Sequence, residues 1–322
     1  MKKIALSLAI ASPVLVQAET INLEIEKPEF YGKINVTQEF VQPENAGNFS
    51  QLNSNASRLG VKGKIALEHG LKAVYQVEYE VFADNGAKKL KGEDDNGDKF
   101  EYDSTLSQRN TFIGIEGGFG RVQAGMFDTP FKSVQNKVDL FNDLRGDIKN
   151  IISKSENRSK NSVQYTSPSF AGLVATVDHL NSEDEDTNNG LSASLAYTRG
   201  DIYVAYAYDN EVNGEKVDAQ RVVGQYKVGA VQLGALWETL DTDGNSEEGW
   251  MASAAFKATS DVTLKAQYGA SDIKKEGGVS YSLGADYKLA KNAKTFVYAT
   301  SEESDDESVN AQYYGAGLEY KF

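Results

Sequence analysis

Apolar and polar residues alternate along this chain with a period of two. Over 71–81 every odd-numbered position is apolar, while even-numbered positions carry Lys72, Gln76, Glu78 and Glu80. The same alternation returns later, including over 279–289 and 314–322. Because successive side chains of a β-strand point to opposite faces, this pattern predicts strands that each have one apolar and one polar face.

Sixteen segments of this kind run along the chain, and we predict an all-β fold from them. They cover 30–41, 55–68, 71–83, 109–116, 121–127, 161–167, 172–180, 191–199, 201–209, 217–228, 231–238, 249–258, 262–270, 278–289, 293–300 and 313–322. Some connections are short, as at 69–70, 117–120, 199–200 and 260–261. Others are long and polar, namely 42–54, 84–108, 128–160, 181–190, 210–216, 239–248, 271–277 and 301–312.

An even number of strands joined alternately by tight turns and large loops is typical of an antiparallel barrel that spans an outer membrane. In such a barrel the apolar face meets lipid and the polar face lines a wet lumen. The many Tyr and the two Trp lie toward strand ends, as aromatic residues do at lipid interfaces. The alternation does not itself reveal which face points inward, so a soluble all-β fold stays an alternative.

Residues 1–18 have the composition of a cleaved secretory signal peptide. Lys2 and Lys3 precede an apolar run that ends at Val16-Gln17-Ala18, with small residues where signal peptidase requires them. Removing this segment changes the formal net charge from −14 to −16, because it holds two lysines and no acid. The mature barrel would then be 19–322, with no later apolar run near the ~20 residues that a membrane helix needs.

The composition excludes several kinds of chemistry. The chain has no Cys and only two His, His69 and His179, so it has no disulfide scaffold, zinc ribbon or thiol nucleophile. Its acidic balance, with a pI near 4.7, is opposite to that of a nucleic-acid binder. The acidic loops 93–98, 183–186, 241–244 and 302–307 lack the ligand spacing of a calcium loop, and we predict no cofactor and no metal.

Four motifs in order resemble the general diffusion porins of Gram-negative outer membranes. They are Ser57–Gly63, Gly118–Gly125, Asn161–Gly172 and the terminal Tyr320-Lys321-Phe322. The resemblance covers essentially the whole mature chain and implies a 16-stranded, homotrimeric channel. It also implies that the outer-membrane assembly machinery reads the terminal Phe322, that the loop from Ala83 to Gln108 contacts a neighbouring subunit, and that lipopolysaccharide surrounds the outer loops.

The loop 128–160, after the fifth predicted strand, is long for a compact domain, which suggests a function. Within it Val134, Val138, Phe141 and Leu144 recur at helical spacing and predict a short helix with one packed side. In porins the equivalent loop folds into the barrel and narrows it. By that resemblance Asp139, Asp143 and Asp147 become the acidic side of the constriction.

The opposite wall of such a constriction should be basic, because opposed charges create a transverse field that filters dipolar solutes. Alternation places Lys33, Arg58, Lys62 and Arg121 on polar faces, whereas the strand of Arg109 alternates poorly and leaves its orientation open. Arg58 matches the basic cluster of the family best. Met126 and Gln164 stand where relatives often have Arg, which weakens the expected wall.

The leading hypothesis is therefore a passive, water-filled channel for small hydrophilic solutes and ions, mildly cation-selective because of its negative charge. A solute-selective porin for an oligosaccharide is an alternative, with Tyr203, Phe296 and Tyr298 as possible inner-face aromatics. A barrel enzyme is a further alternative, yet His69 falls in a turn and His179 on an apolar face. An adhesin role of the loops also stays open.

Overall fold

The computed structural model describes residues 27–93, 99–135, 138–183 and 187–322. The predicted signal peptide and parts of the acidic loops 93–98 and 183–186 lie outside this described part. The strands are β1 (Glu29–Pro43), β2 (Phe49–Ser54), β3 (Arg58–Ala66), β4 (Lys72–Val81), β5 (Lys88–Glu93), β6 (Lys99–Ser104), β7 (Leu106–Gly117), β8 (Gly120–Asp128), β9 (Arg158–Thr166), β10 (Leu173–Leu180), β11 (Gly190–Arg199), β12 (Ile202–Asn210), β13 (Val217–Val228), β14 (Val231–Thr242), β15 (Asn245–Lys257), β16 (Val262–Ser271), β17 (Gly278–Ala290), β18 (Ala293–Glu303) and β19 (Ala311–Lys321).

Successive strands pair antiparallel, and β1 pairs with β19, so the sheet closes on itself. Both β2 and β3 pair with β1, and together they form one spanning strand interrupted at 55–57. The hairpin of β5 and β6 stands apart from this sheet. The predicted barrel of sixteen antiparallel spanning strands is thus confirmed. Closure removes the edge strands that would otherwise leave backbone groups unpaired.

Two predicted loops contain more structure than alternation indicates. β2 occupies the second half of 42–54, where Phe49 and Leu52 are both exposed. The β5–β6 hairpin lies within 84–108. Both stretches are rich in polar residues, and their conformation depends on pairing with a neighbouring strand. A pattern in a single sequence does not report such pairing.

The two faces of the barrel differ as the alternation predicts. Large apolar side chains such as Leu195, Val204, Leu283 and Val297 are exposed, whereas polar side chains of the opposite parity are buried. A charged inner face and an exposed apolar outer face are the reverse of a soluble β-sandwich. The exposed face is therefore the lipid-facing one. Of the described residues, none forms a helix long and apolar enough to cross a membrane.

The segment 129–157 lies against the inner face of the wall. It contacts side chains of β1, β3, β11, β12, β13, β15, β16, β18 and β19, through residues that include Lys33, Ser192, Tyr203, Arg221, Ser253 and Gln267. One short segment can reach strands on nearly all sides of a closed barrel only from within. It contains the short helices α1 (Pro130–Ser133) and α2 (Ile148–Ile151).

The helix expected over 134–144 is not present in the described part of that stretch, which forms turns. Asp143 has a positive φ of 65°, a conformation that interrupts an α-helix. Val134, Val138, Phe141 and Leu144 are nevertheless all buried against the wall. Their spacing thus reflects repeated contact of a turning segment with the wall.

Candidate pore constriction

Asp143 at the tip of the inner segment joins two basic side chains of the wall. Its Oδ2 lies 2.7 Å from Lys33 Nζ and 3.0 Å from Arg58 Nη2. Burial opposes ionisation of Asp143, but the charges of Lys33 and Arg58 outweigh it and hold the pKa of this carboxyl below its usual value. Asp143 of the loop is therefore in direct contact with Lys33 and Arg58, two of the basic candidates on the wall.

Arg109 extends this basic group along the wall. The register shift between β4 and β7 near Val77 turns its side chain inward, which resolves the orientation that alternation left open. Its Nε lies 2.7 Å from Glu78 Oε1, and its Nη1 lies 3.3 Å from Glu80 Oε2. Arg58 also approaches Glu78, at 3.8 Å, so the two arginines are linked through one carboxylate.

Asp128, like Glu78, is a carboxylate that two basic side chains share. Asp128 at the end of β8 contacts Lys132 at 3.2 Å and Arg158 at 3.0 Å. Asp128 and Lys132 line a cavity of about 180 Å³ between the inner segment and the wall, together with Arg58, Arg109, Asp143 and Lys149. This cavity is the candidate narrow zone, and its lining is almost entirely polar.

Asp139 and Asp147 have partners different from those of Asp143. Asp139 is buried beneath the segment, where it accepts hydrogen bonds from the backbone of Phe141 and Ile148 and from Gln267 Nε2, each at 3.1 Å. Asp147 caps α2 by accepting from Lys149 N and forms an ion pair with Lys149 Nζ at 3.1 Å. Only Asp143 of the three reaches Lys33 and Arg58.

Lys62 and Arg121 lie away from the cavity, closer to the short turns. Lys62 pairs with Glu29 at 3.1 Å, and Arg121 pairs with Glu116 at 2.5 Å, an acid that it shares with Lys64. Neither has an ion pair with the described part of 129–157. Of the two positions where relatives often carry Arg, Gln164 faces inward and accepts a hydrogen bond from Gln123, while Met126 pairs with Thr111 of β7.

Arg221 of β13, which the sequence did not single out, attaches the inner segment to the wall. It is fully buried and contacts Glu238 at 2.5 Å, Glu156 at 2.7 Å and the carbonyl of Phe131 at 3.1 Å. Its guanidinium also lies over the Phe131 ring, 4.3 Å from the centroid. A short turn at 229–230 sets Arg221 opposite Glu238, so register counting could have found this pair.

Arg145 makes a similar attachment on the opposite side. It forms an ion pair with Glu302 of β18 and donates a hydrogen bond to the Tyr313 hydroxyl at 2.7 Å. Tyr203 donates to the carbonyl of Val134, and Tyr298 donates to Glu39. Phe296 and Tyr298 are buried beneath the segment, so the inner aromatics support it and do not form an exposed track along the lumen.

These attachments should depend on pH. Burial raises the pKa of Glu156 to about 7, and burial together with the charge of Asp147 raises the pKa of Asp139. A carboxyl whose pKa is raised by folding stabilises the folded state at low pH, and this stabilisation is lost as the pH rises through the raised pKa. We expect the inner segment to loosen as the pH rises from about 4.5, the ordinary pKa of a Glu carboxyl, to about 8, the raised pKa of Asp139, measured as increased noise in the open-channel current.

Matched variants test the origin of this pH dependence. Glu156→Gln together with Asp139→Asn keeps the shape of both side chains without their titration, so the change in noise between the two pH values should shrink. Glu215→Gln removes an exposed carboxyl of an outer loop and should leave the pH dependence intact. Noise that stays constant in the unmodified protein would contradict the assignment.

The described residues contain no cluster of three or more His, Asp or Glu placed to hold a metal ion. His69 is exposed in a turn, and His179 is exposed on the outer face. Phe322 stacks on Tyr320 with a ring-centroid distance of 6.0 Å, and its backbone pairs with Gly32 at the seam between β1 and β19.

A closed barrel with a lipid-facing apolar exterior, a charged interior and a segment folded across the lumen defines an outer-membrane channel. The chain belongs to the Gram-negative porin family, whose family model matches residues 5–322. This family and fold are those of a channel rather than an enzyme, and they place the protein in the outer membrane.

Individual relatives agree with this family. The chain is 28% identical over 292 residues to major outer membrane protein P.IB of Neisseria meningitidis, covering 83% of each chain. It is 26% identical to a monosaccharide porin of a Halomonas species, covering 76% of this chain and 72% of the relative. The anion-selective porin of Comamonas acidovorans has the same fold, with a TM-score of 0.75 at 19% identity and coverage of 92% and 99%.

Proposed function

We propose that this porin lets small hydrophilic solutes and ions diffuse passively through a lumen narrowed by the loop 128–160, with a mild preference for cations. The observation that carries the proposal is the polar cavity between the inner segment and the wall around Arg58, Arg109 and Asp143. No reaction is needed for such a role, since the pore selects solutes by their size and charge alone.

The preference should be mild because charges in the narrow zone are paired. Lys33, Arg58, Arg109, Lys132 and Arg158 each contact a carboxylate, so their fields largely cancel a few ångströms away. The net negative charge of the chain then attracts cations to the channel. The anion selectivity of the Comamonas porin makes the sign of this preference a direct question for experiment.

Export, assembly and surroundings follow the same proposal. Residues 1–18 direct secretion and are removed, and the terminal Phe322 is read by the assembly machinery. Three copies associate as a homotrimer, with the outer loops embedded in lipopolysaccharide. The exposed Phe100, Tyr102 and Leu106 near the β5–β6 hairpin support a contact of this hairpin with a neighbouring subunit, because exposed apolar groups favour association.

Planar lipid bilayers test the proposed function. Purified protein, shown to be folded by heat-modifiable gel migration, should give large ohmic conductance steps in 1 M KCl. A potassium chloride gradient should then give a reversal potential of cation-selective sign. Large steps with a reversal potential of the opposite sign would support the diffusion channel and contradict the cation preference. Folded protein that gives no steps would reject the channel itself.

A sugar-selective channel is the second candidate, because one relative is a monosaccharide porin. Sugar channels use exposed aromatic rings as a stacking surface. Here Phe296 and Tyr298 are buried under Phe141 and Leu144, which argues against such a surface. Block of the potassium current by millimolar glucose or maltose would favour this second candidate.

A further inference from the structure

The lumen end beside the short turns carries a ring of inward-facing lysines. In β13 the buried Arg221, Val223 and Gln225 face inward, and Lys227 continues the same parity to the strand end. The same reasoning applies to other strand ends at this mouth, which contribute Lys72, Lys257, Lys288, Lys294 and Lys321. Short turns of such barrels lie on the periplasmic side, so this is the periplasmic mouth.

Acids at this mouth only partly offset the ring. Asp286 pairs with Lys294 at 2.9 Å, and Glu319 pairs with Lys321 at 3.1 Å. Lys72, Lys227, Lys257 and Lys288 form no ion pair within the described part of the chain. Glu68, Asp201, Asp261 and the terminal carboxylate add four negative charges at this end. These are fewer than the positive charges of Lys72, Arg199, Lys227, Lys257, Lys288 and Lys291, so the periplasmic mouth is net positive although the whole chain is acidic.

The opposite mouth has the opposite sign. The stretch 239–248 contains Asp241, Asp243, Glu247 and Glu248 and no Lys or Arg. The stretch 303–310 likewise contains four acids and no basic residue. Lys216 offsets Asp243 at 3.0 Å, Lys275 offsets Asp306 at 3.1 Å and Lys154 approaches Glu247 at 3.9 Å, which leaves most of these carboxylates uncompensated. The external mouth is thus net negative.

From this end-to-end reversal of charge we infer that the channel rectifies ionic current at low salt. The inference rests on the proposed channel function and extends it, because it concerns direction of flow rather than average selectivity. A negative mouth concentrates cations and a positive mouth concentrates anions. When the external side is positive, each ion enters through the mouth that concentrates it, and ions accumulate in the lumen. With reversed voltage both enter through the repelling mouth, and the lumen is depleted.

Salt concentration sets the size of this effect. We expect roughly two-fold more current with the external side positive at 10 mM KCl, where the Debye length is about 30 Å. At 1 M KCl the Debye length is about 3 Å, and the current should become nearly symmetric. Rectification by a tapered lumen of uniform charge would also fade with added salt, so charge variants at the two mouths are needed to separate the two causes.

The test is a current–voltage measurement on single channels of known orientation. Because the chain contains no Cys, Ser246→Cys, at an exposed position of β15 beside the external turn at 243–244, provides a single attachment point for biotin. Streptavidin added to one compartment then reports which side that turn faces. Conductance steps in 1 M KCl must be present first, and their absence would reject the channel function rather than the inference.

Charge variants complete the test. Lys227→Gln with Lys257→Gln and Lys288→Gln should reduce the current ratio toward one at 10 mM KCl, whereas the three arginine replacements should preserve it. Asp243→Asn with Glu247→Gln and Glu248→Gln should also reduce the ratio, from the other mouth. Symmetric current in the unmodified protein at 10 mM KCl, or a larger current with the external side negative, would overturn the inference.

Discussion

Replacing Arg221 with methionine is expected to weaken the attachment of the inner segment and destabilise the barrel by about 3 to 5 kcal/mol. Methionine fills a similar volume but leaves Glu238 buried without its cation, and the contacts to Glu156 and the Phe131 carbonyl are lost. Urea unfolding in detergent, followed by the fluorescence of Trp237 and Trp250, measures the free energy of unfolding. Single-channel recordings should show increased current noise at the same time.

A double variant separates the buried charge from simple loss of packing. Arg221→Met with Glu238→Gln removes both partners, so no unpaired ion remains at this position and much of the stability should return. Lys216→Met is the matched control, because its ion pair with Asp243 is exposed and such pairs contribute little. Unfolding of Arg221→Met at the same urea concentration as the unmodified protein would show that Arg221 does not hold the segment.

The barrel could be predicted because alternation is a direct consequence of strand geometry. Arg58 and Lys33 alternate with apolar neighbours, which placed them on the polar face without knowledge of their partners. The Arg221–Glu238 pair was also accessible, because a tight turn fixes the register of β13 against β14. Glu156 and the Phe131 carbonyl were not accessible, since they come from a distant segment whose path depends on tertiary contacts.

The inner segment shows where sequence periodicity fails. Asp139, Asp143 and Asp147 became similar candidates through the porin resemblance, and their spacing of four residues would place them on one face of a helix. The positive φ of Asp143 and the surrounding turns give each carboxylate a different direction. One is buried beneath the segment, one bridges to the wall and one caps a helix. Local spacing cannot separate these roles, because the wall against which the segment folds determines them.

Replacing Asp143 with asparagine is expected to move the channel several-fold toward anions. Asparagine tolerates the positive φ of this position, so the backbone should keep its path. The substitution leaves Lys33 and Arg58 without the carboxylate that they share, beside the cavity proposed as the narrow zone. Unit charges about 4 Å apart interact by about 1 kcal/mol in water, roughly a five-fold change in local ion concentration.

The reversal potential across a potassium chloride gradient measures this shift. The control is Asp243→Asn, which removes the same charge from an exposed ion pair at the external mouth. Charges on that rim are screened within about 8 Å at physiological salt, so the control should leave the reversal potential almost unchanged. Equal shifts in the two variants would mean that total charge, rather than the Lys33–Asp143–Arg58 cluster, sets selectivity. No shift in Asp143→Asn would place the filter elsewhere along the lumen.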